Sequence, residues 1–596
     1  MLISPMRTDT ILPTRVSTRF AADVGEQVYG VTATAERLPG EYDDNFRLDT
    51  RNGETLVLKI MHPMRSRELV DLQVRALLHL AVREPLLQLP RVHISKSGEA
   101  IETVTDPDGA ARHVWLLTYI RGRPLVDTRP HTYDLLANLG EFLGRLDAAL
   151  GDFEHAAAHR ELKWDSSRAL WILDELHHID DPARRGIVEK FMGRYETEVL
   201  PALAQLRRSV IHADANDHNV ITDAARAQLP QVVGLIDFGD MHQGVTVSEL
   251  AIAAAYGVLG QQDPLAAAAQ IVAGYHRAMP LTELEIALLF PLIAARLCVS
   301  VTNSALRKAI APEDPYVTIS EGPAWAALEK LAAIPASLAH CKFRAACGLP
   351  GVAQGGHIMD WLRARADTFA PLMTGLDSAC VFDLGVGSLW TGADPQTIET
   401  EALSERIRRE LRGAGASVGI GRYNEARMIY AGPSFSRSAN PTDERRTVHL
   451  GLDLFAVEGT AVYAPLAGTV HAFANNARAQ DYGPVIVLRH ETGDAVPFFT
   501  LYGHLNLDSL DGIAVGQSIS RGHRLGAVGD AGVNGGWPPH LHFQLIVDLL
   551  ELGTDFPGVA CPSESECWRS LAPDPNVIAG IPSSRFPANP PASSQS

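Results

Sequence analysis

The fold of the first half of this chain is decided by the stretch Val210–Asp240, VIHADANDHNVITDAARAQLPQVVGLIDFGD. It holds a His, an Asp two positions later and an Asn five positions after that Asp, and a hydrophobic strand then ends in Asp-Phe-Gly. In phosphoryl transfer, an acid such as Asp214 accepts the proton of the attacking hydroxyl. An Asn and a second Asp, here Asn219 and Asp237, supply the oxygen ligands that magnesium prefers beside the phosphates of ATP. The stretch therefore predicts a Mg²⁺- and ATP-dependent phosphoryl-transfer site.

Length and charge limit the classes of function. At 596 residues the chain is too long for one core, and a prior of roughly 100–200 residues per domain predicts three or four units. The formal net charge of -18 argues against nucleic acid or an anionic membrane surface as a partner, because both select clustered Lys and Arg. The same charge favours a small cationic substrate.

The chain is expected to be cytoplasmic. Its N-terminal segment lacks the apolar core of a secretion signal, and no apolar run approaches the roughly 20 residues that a membrane span needs. The cysteines form no Cys-x-x-Cys pair, which is typical of reduced cytosolic thiols rather than of a disulfide framework.

A hairpin is predicted ahead of the central stretch. Between Ala35 and Ile60, apolar residues alternate with polar ones on both sides of Asn52-Gly53, which is a strong hairpin signal. Lys59 stands near the end of the second strand, where a kinase places the Lys that neutralises the α- and β-phosphates. A Lys on a strand is more often a solvated edge residue, so Lys59 is a candidate for phosphate binding only in combination with the other site residues.

Helices follow the hairpin. Arg65–Leu80 has apolar residues at helical spacing, as the helix whose acid pairs with such a Lys would, and either Glu68 or Gln73 stands at the matching position. Val114–Leu125 is predicted as a buried strand that either forms the hinge for adenine or belongs only to the core. Helical patterns then run over Tyr133–Leu206 and continue behind the central stretch. A sheet-rich lobe before a helical lobe is a protein-kinase-like architecture.

Residues 20 to 335 resemble the group of aminoglycoside phosphotransferases and hydroxylysine or choline kinases, whose signature is His-x-Asp-x-x-x-x-Asn followed by Ile-Asp-Phe. His212, Asp214, Asn219 and the run Ile236, Asp237, Phe238 match it. The run Ser-Glu-Leu-Ala-Ile after Asp240 is nearest the hydroxylysine-kinase-like branch. The resemblance implies ATP-dependent phosphorylation of a small hydroxylated amine.

Two acids behind the signature are candidates for binding the substrate ammonium. Asp240 and Glu249 would supply the fixed counter-charge that a cation beside the acceptor hydroxyl needs. Acids after a metal-binding loop also often cap helices, and that alternative stays open.

A second site is predicted near the C-terminal end. His449 and Asp453 lie four residues apart on one predicted strand, and His540 and His542 lie two apart on another, so that each pair shares a face of its strand. With His504, five metal-competent groups can meet in one groove. His449, Asp453 and His542 would hold a tetrahedral zinc with water as fourth ligand, and His504 and His540 would orient or deprotonate that water and stabilise the oxyanion. Each His taken singly is more often a structural residue.

This pattern resembles the lysostaphin-type zinc endopeptidases, which carry His-x-x-x-Asp, a further His, and His-x-His. All five positions occur in order over roughly residues 441–550. The resemblance implies a peptide substrate. Peptidoglycan cross-bridges, the usual substrate of that family, conflict with a cytoplasmic chain.

The sequence thus predicts a multidomain α+β protein, in which a two-lobed kinase-like fold precedes a small α/β connector and a mostly antiparallel β-sheet metallopeptidase domain. The predicted divisions are a leader 1–20, a phosphotransferase domain 21–335, a connector 336–440, a zinc peptidase domain 441–560 and a tail 561–596. This order resembles bacterial proteins that continue into an aminotransferase-like domain, so a separate pyridoxal-phosphate-dependent aminotransferase or phospho-lyase is a candidate partner.

The predicted function is an ATP-dependent small-molecule kinase fused to a zinc endopeptidase, with ATP, Mg²⁺ and Zn²⁺ as cofactors. Two alternatives stay open. The kinase lobe could inactivate an aminoglycoside antibiotic, or the chain could be a scaffold in which one or both sites are vestigial.

Overall fold

The computed structural model describes residues 15–40, 42–223, 229–310, 321–391, 399–437, 440 and 442–586. The chain divides into two compact units after Cys347. The fold class predicted from the sequence is confirmed, with a kinase-like first unit and a largely antiparallel second unit.

The first unit opens with a six-stranded antiparallel sheet, in the order β1, β2, β3, β6, β4, with β5 also paired to β6. The predicted hairpin is confirmed, because Phe46 pairs with Leu58 across the turn and both side chains are fully buried. The elements are α1 (Thr18–Tyr29), β1 (Ala33–Leu38), β2 (Asp44–Thr50), β3 (Thr55–Ile60), α2 (Arg67–Arg83), β4 (Val92–His93), β5 (Glu102–Thr105), β6 (Ala111–Thr118) and β7 (Arg123–Pro124).

The predicted leader, 1–20, does not end where it was expected to, because helix α1 begins within it. It begins at Thr18, where the Ser17 side chain accepts a hydrogen bond from the N–H of Phe20. Its Ala21 and Val24 are buried in the same core as the hairpin. The helix was missed because its apolar face is short, and the part of the leader before residue 15 lies outside the described residues.

The second lobe of this unit is helical and carries short strands on the side of the cleft. Strands β7, β9 and β10 form one small sheet, and β8 and β11 form another. The elements are α3 (Tyr133–Leu150), α4 (Pro182–Arg194), β8 (Arg208–Ile211), β9 (Val220–Thr222), β10 (Val232–Leu235), β11 (His242–Val245), α5 (Val247–Gly257), α6 (Pro264–Ala278), α7 (Glu283–Ile310), α8 (Glu321–Ala332) and α9 (Ala336–Ala346).

Helix α7 is the central helix of this lobe. By length and composition it could cross a membrane, but 83% of its most apolar window is buried inside the unit. It packs against α5, α8 and α9. An apolar helix covered on most sides by other helices is a core helix.

The second unit is built on an eight-stranded sheet in the order β12, β13, β15, β22, β19, β18, β17, β20, in which only the β12–β13 pair is parallel. Two smaller pairs, β14 with β23 and β16 with β21, flank it. The elements are α10 (Gly355–Arg363), β12 (Cys380–Val381), α11 (Thr400–Ala414), β13 (Gly419–Gly421), β14 (Val448–His449), β15 (Leu452–Phe455), β16 (Ala461–Tyr463), β17 (Gly468–Asn476), β18 (Gly483–Glu491), β19 (Pro497–Gly503), β20 (Ser518–Ile519), β21 (Arg524–Ala527), β22 (His540–Ile546), β23 (Val559–Ala560), α12 (Ser565–Leu571) and α13 (Asn576–Ala579).

The predicted connector, 336–440, is not a separate body. Its first helix, α9, packs against α6 and α7 of the first unit. The rest belongs to the second unit, where β13 pairs with β15 and places Gly421 opposite Asp453. This pairing joins distant parts of the chain, so no local sequence pattern encodes it.

The predicted tail, 561–596, is partly folded. Helices α12 and α13 lie in it, and the N–H of Val547 donates to the carbonyl of Leu571 at 2.8 Å. Ile578 and Ile581 are buried in the core of the unit. The Pro- and Ser-rich end, from 587 on, lies outside the described residues.

Candidate active sites

His212 fastens the loop 212–219, which joins β8 to β9, to the end of β10. Its Nε2–H donates to the carbonyl of Ile236 at 3.1 Å, and its Nδ1 accepts the N–H of Asp214 at 3.3 Å. The ring also stands edge-on to Phe238 with centroids 4.7 Å apart. Burial lowers the pKa of His212 to about 4, so the imidazole is neutral and both contacts persist at neutral pH. His212 therefore holds Asp214 beside the segment that carries Asp237.

Asp214 lies in a cleft with 23% of its side chain exposed. Its Oδ2 accepts hydrogen bonds from the amides of Asn216 at 3.0 Å and Asn219 at 2.8 Å, and its Oδ1 lies 3.4 Å from a guanidinium nitrogen of Arg296. Burial raises the pKa of Asp214 to about 7, although Arg296 opposes that rise. A carboxyl with a pKa near neutrality is well matched to accept a proton at physiological pH.

The structure brings Lys59 to the same cleft. Its Nζ lies 3.3 Å from Oδ1 of Asp237, although β3 and the end of β10 are far apart in sequence. This contact holds the pKa of Asp237 below its usual value. The amide nitrogen of Asn219 is used by Asp214, which leaves the Asn219 oxygen and the Asp237 carboxylate as the oxygen donors that a hard divalent cation prefers.

Neither of the two candidate residues of α2, Glu68 and Gln73, pairs with Lys59 in the described part of the chain. The amide of Gln73 donates to the carbonyl of Leu69 in its own helix. Glu68 lies in the first turn of the helix, where backbone and Ser66 hydrogen bonds lower its pKa. Lys59 pairs with Asp237 instead.

The two predicted ammonium-binding acids occupy different environments. Asp240 lies half-buried at the cleft, close to Asp237, and burial raises its pKa. Glu249 is fully buried on α5, and its Oε2 accepts the N–H of Ala213 at 2.7 Å. Ala213 has a φ of 67°, which is unusual for a residue other than Gly, and the Glu249 bond stabilises it. The expectation that Glu249 contacts the substrate is therefore corrected: it supports the loop from behind.

Replacing Glu249 with Gln should leave the KM for the phosphate acceptor unchanged, because the Gln oxygen can still accept the Ala213 N–H. Burial raises the pKa of Glu249 from 4.5 to about 7, so above pH 4.5 the unfolded chain releases a proton that the folded chain retains. Glu249 should therefore make the stability of the wild type fall as pH rises through that window, and the variant should lose this part of the decline while the part that comes from Asp214 remains. Thermal unfolding between pH 4.5 and pH 8, with acceptor kinetics, measures both. An increase in the KM for the acceptor would show that Glu249 contributes to acceptor binding after all.

Arg296, on α7, is a buried residue beside Asp214 that the sequence reasoning missed. It contacts Asp214 and lies over the rings of Trp164 and Tyr256. A charged residue inside the apolar run FPLIAARLCVSV could have identified it, since a buried charge needs a specific partner.

In the second unit, the three predicted metal ligands meet. The candidate ligand atoms of His449, Asp453 and His542 all lie within 4.8 Å of one another, and all three side chains are buried. Nε2 of His449 and Nδ1 of His542 are 3.1 Å apart, and each is 3.1 Å from Oδ1 of Asp453. Two imidazoles and one carboxylate are a donor set that zinc takes in catalytic sites.

The strand that carries His449 and Asp453 is broken, contrary to the prediction of one continuous strand. His449 ends β14, and Asp453 lies on β15 opposite His542 of β22. Gly451 stands at the break, where a Cβ would lie only 2.6 Å from Cε1 of His542. Only glycine lets the chain pass so close to the ring.

The second ring nitrogen of each His is already engaged by the protein. Such contacts fix the tautomer and direct the remaining nitrogen into the site. In three rings the engaged atom is Nδ1, which contacts a backbone carbonyl; in His542 it is Nε2, which contacts a Gln side chain. The pairs are His449 with Arg422 at 2.9 Å, His504 with Asn534 at 2.8 Å, His540 with Pro538 at 2.7 Å and His542 with Gln544 at 3.1 Å. The other nitrogen of each ring is directed into the site, as a metal ligand or a proton acceptor requires.

The remaining two predicted residues lie beside the ligands. The rings of His504 and His540 have centroids 4.3 Å apart, and Nε2 of His540 is 3.6 Å from Oδ1 of Asp453. Burial lowers the pKa of both rings, so they are neutral and can accept protons. All five predicted groups therefore share one site.

Arg427 is a further residue that the sequence reasoning missed. It is fully buried and donates to Oδ2 of Asp453 at 2.6 Å, to Glu425 at 2.9 Å and to the Tyr430 hydroxyl at 3.0 Å. Burial opposes ionisation of Asp453, but His449 and Arg427 outweigh it and hold the pKa of this carboxyl well below its usual value. Arg427 thus fixes the carboxylate in its charged form, with Oδ1 turned towards the histidines.

Replacing Arg427 with Met should lower zinc affinity by about 10- to 100-fold, the usual cost of losing a residue that orients a metal ligand. Competition with a chelating dye measures the affinity directly. Arg427→Lys should recover part of it, and Arg489→Met, at a partly exposed Arg of β18, is the matched control. Unchanged affinity in Arg427→Met would show that Asp453 needs no such support.

A groove of about 440 Å³ opens onto these residues. One wall is aromatic and is formed by Tyr430, Phe435 and Trp537. Another is aliphatic and is formed by Leu384, Leu403 and Ile407, from the segment predicted as a connector. The groove can receive a peptide next to the five polar groups.

The folds and the two clusters define a chain with two catalytic domains, a kinase-like phosphotransferase and a metallopeptidase. Residues 34–284 match the model of the phosphotransferase enzyme family, and residues 447–551 match that of peptidase family M23. The chain therefore contains one domain of each family, as the sequence predicted.

Proteins similar to each part are known. The chain is 28% identical over 334 residues to hydroxylysine kinase of Mus musculus, an alignment that covers 52% of this chain and 88% of that protein. It is 30% identical over 138 residues to a metalloprotease of Haemophilus influenzae, which covers 23% of this chain and 27% of that protein. The structure of a microcompartment-associated aminopropanol kinase superposes with a TM-score of 0.43 at 16% identity, over 56% of this chain and the whole of the other.

Proposed function

We propose that the first unit transfers the γ-phosphoryl group of ATP to the hydroxyl of a small hydroxylated amine. The observation that supports this most is the meeting of Lys59, Asp214, Asn219 and Asp237 in one cleft, with Lys59 and Asp237 only 3.3 Å apart. The similarity to hydroxylysine kinases over most of their length favours a small amine over an aminoglycoside as acceptor.

In this proposal each residue has one task. Asp214 accepts the hydroxyl proton on a carboxylate oxygen, and Lys59 neutralises the α- and β-phosphates. The oxygens of Asn219 and Asp237 would hold Mg²⁺, which would offset the negative charge of the phosphates. Asp240 offers a negative charge to the ammonium of the acceptor.

The test is a screen for acceptor-dependent ADP release. Amino alcohols, hydroxylysine, choline and aminoglycosides are compared under Mg²⁺ and ATP, with Asp214→Asn as the background. We expect release with at least one small hydroxylated amine and none above background with aminoglycosides. Release with aminoglycosides alone would support the antibiotic-inactivating alternative, and no release with any acceptor would support a vestigial site.

We further propose that the second unit is a zinc endopeptidase. His449, Asp453 and His542 would hold the metal, which would supply an activated water and a Lewis acid for the scissile carbonyl. His504 and His540 each direct an unprotonated Nε2 into the site, so one of them accepts the proton of the attacking water and then donates a hydrogen bond to the oxyanion. The cluster of three ligand atoms within 4.8 Å carries this proposal.

Quenched fluorescent peptides with apolar, glycine-rich or charged sequences test it. We expect cleavage of at least one peptide that a chelator abolishes and added zinc restores. Cleavage that persists after the metal has been removed would show that the reaction does not require zinc.

We propose a cytoplasmic location, because ATP and magnesium are reagents of that compartment. The zinc unit would then act on a cytoplasmic peptide rather than on mature peptidoglycan. Fractionation of cells that carry an epitope-tagged chain tests the location. The comparisons lend no support to a separate aminotransferase as partner, and the proposal does not include one.

A further inference from the structure

The groove of the second unit has walls that lie outside the range matching the peptidase family. The five metal-competent groups all fall within residues 447–551, which match peptidase family M23. The aliphatic wall and two members of the aromatic wall precede that range. These side chains are Leu384, Leu403, Ile407, Tyr430 and Phe435. The candidate ligands are therefore those of the family, whereas the shape of the groove belongs to this chain.

The aliphatic wall reaches the metal site itself. Leu384, Leu403 and Ile407 pack with Phe455 in one buried apolar cluster. The ring of Phe455 in turn lies 4.9 Å from the ring of His540, centroid to centroid. An apolar surface thus continues from α11 to a residue beside the candidate metal ligands. A side chain next to the scissile bond of a peptide would lie against this surface.

The aromatic wall offers rings rather than hydrogen-bonding groups. The Tyr430 hydroxyl accepts a hydrogen bond from Arg427 at 3.0 Å. Tyr482, which also lines the groove, donates its hydroxyl to the carbonyl of Phe556 at 3.0 Å. Because both hydroxyls are engaged within the protein, the two tyrosines present their apolar rings to a ligand.

One loop fixes both walls relative to the catalytic groups. Thr400, at the start of α11, donates its hydroxyl to the carbonyl of Gly536 at 2.8 Å. Asn534 exchanges two hydrogen bonds of 3.0 Å with the backbone of Trp537, and its carbonyl contacts Nδ1 of His504 at 2.8 Å. The groove is thus held in place before a substrate arrives, and a preorganised site loses less free energy to ordering on binding.

The charged side chains that line the groove balance one another. The described lining residues include three Arg and three Asp, and no Glu or Lys. Two of these Arg are engaged within the protein, Arg427 by Asp453 and Glu425, and Arg446 by the carbonyl of Ser434. No excess of either sign therefore selects an acidic or a basic peptide. The apolar walls are what distinguish one substrate side chain from another.

We propose that this groove binds a large apolar side chain beside the scissile bond, so that the peptide substrate carries a residue such as Leu, Phe or Trp there. This inference rests on the proposed function of the second unit. Protein interiors leave few voids larger than a water molecule, whereas a groove of about 440 Å³ has the size of a ligand site. A glycine at that position would leave both walls without a contact. A charged residue would lose its water to apolar surroundings.

The test uses quenched fluorescent peptides that differ at one position. Each holds Leu, Phe, Trp, Gly, Asp or Lys in a constant background of Gly, Ala and Ser, and mass spectrometry of the products identifies the bond that is cut. We expect cleavage next to Leu, Phe or Trp, with kcat/KM at least about 100-fold above that of the Gly peptide, because even one methylene in an apolar pocket is worth about 10- to 200-fold. Equal cleavage of the Gly peptide, or preference for Asp or Lys, would overturn the inference.

Binding without turnover gives a second readout. Fluorescence anisotropy of labelled peptides is measured on His504→Ala, which should keep zinc and leave the peptides uncut. The Leu, Phe and Trp peptides should bind more tightly than the Gly peptide, in the same order as their cleavage by the wild type. Equal affinity for the Gly peptide would count against the pocket.

Variants separate the pocket from general damage. Ile407→Ala shortens the aliphatic wall and should raise the ratio of Trp to Leu cleavage by about tenfold or more, because the widened groove fits the larger side chain better. A structural defect would instead lower both by the same factor. Phe435→Ala, in the opposite wall, should reduce the preference over Gly, mainly by raising the KM of the apolar peptides. Val515→Ala, at an exposed aliphatic residue outside the groove, is the matched control and should keep the wild-type preference.

The outcomes distinguish this inference from the proposed activity. Cleavage that ignores the variable position would leave the zinc endopeptidase standing and remove only the apolar pocket. If no peptide is cut, the proposed activity fails and the anisotropy series decides the pocket alone. Equal binding of all peptides would then remove both. If Ile407→Ala does not fold, the wild-type series and Phe435→Ala still decide.

Discussion

Replacing Asp214 with Asn should lower ATP-dependent phosphate transfer by about a thousandfold or more, the scale on which a positioned general base acts. The amide has nearly the same shape and can still accept hydrogen bonds from Asn216 and Asn219, so the loop should remain in place. It cannot take a proton from the acceptor hydroxyl. Acceptor-dependent ADP release measures the loss, and nucleotide affinity and thermal unfolding should stay close to wild type.

The matched control is Asp174→Asn, at an exposed Asp of the same unit. It should leave transfer intact. If Asp214→Asn turned over at the wild-type rate, Asp214 would not be the base. If nucleotide affinity fell together with turnover, Asp214 would act through the metal site.

The parts of the first site that were predictable are those encoded in short motifs. His212, Asp214 and Asn219 lie within eight positions, and the loop between β8 and β9 folds them together through local hydrogen bonds. Lys59 could be placed because a hairpin with Asn-Gly at its turn fixes which strand end carries it. What brings Lys59 to Asp237 is the packing of two lobes, which no local pattern encodes.

Glu249 was misjudged for a physical reason that was visible in the sequence. It lies within the run VSELAIAAA, where the surrounding residues are apolar on every face of a helix. Such a helix is buried, and an acid within it must find a partner inside the protein. Here the partner is the N–H of Ala213, whose strained backbone could not be foreseen from its residue type.

In the second site, the ligands were predictable and their support was not. His-x-x-x-Asp and His-x-His name the ligands, whereas Arg427 lies between β13 and β14, outside both strands. It reaches Asp453 because β13 pairs with β15 and the N–H of Arg427 donates to the carbonyl of Thr447, which are contacts between distant parts of the chain. The break at Gly451 could have been anticipated, since a Gly inside a strand pattern often marks a bend or a close approach.

Replacing His449 with Ala should abolish stoichiometric zinc binding and with it any metal-dependent peptide cleavage. A site with two protein ligands lacks the third donor that catalytic zinc sites use, and Asp453 would lose one of the groups that hold its pKa low. Metal content after dialysis measures the first effect, and cleavage of a fluorescent peptide measures the second. Phosphate transfer by the first unit should be retained, which serves as an internal check that the chain is folded.

His523→Ala, at an exposed His of the same unit, is the matched control and should keep both zinc and cleavage. His504→Ala gives the complementary result, because that residue lies beside the ligands and is not one of them: zinc should remain while cleavage is lost. If His449→Ala bound zinc as wild type does, the metal would have to be held by Asp453, His542 and His540, whose Nε2 is 3.6 Å from the same carboxylate oxygen. The two variants together therefore decide which histidines hold the metal and which act on the water.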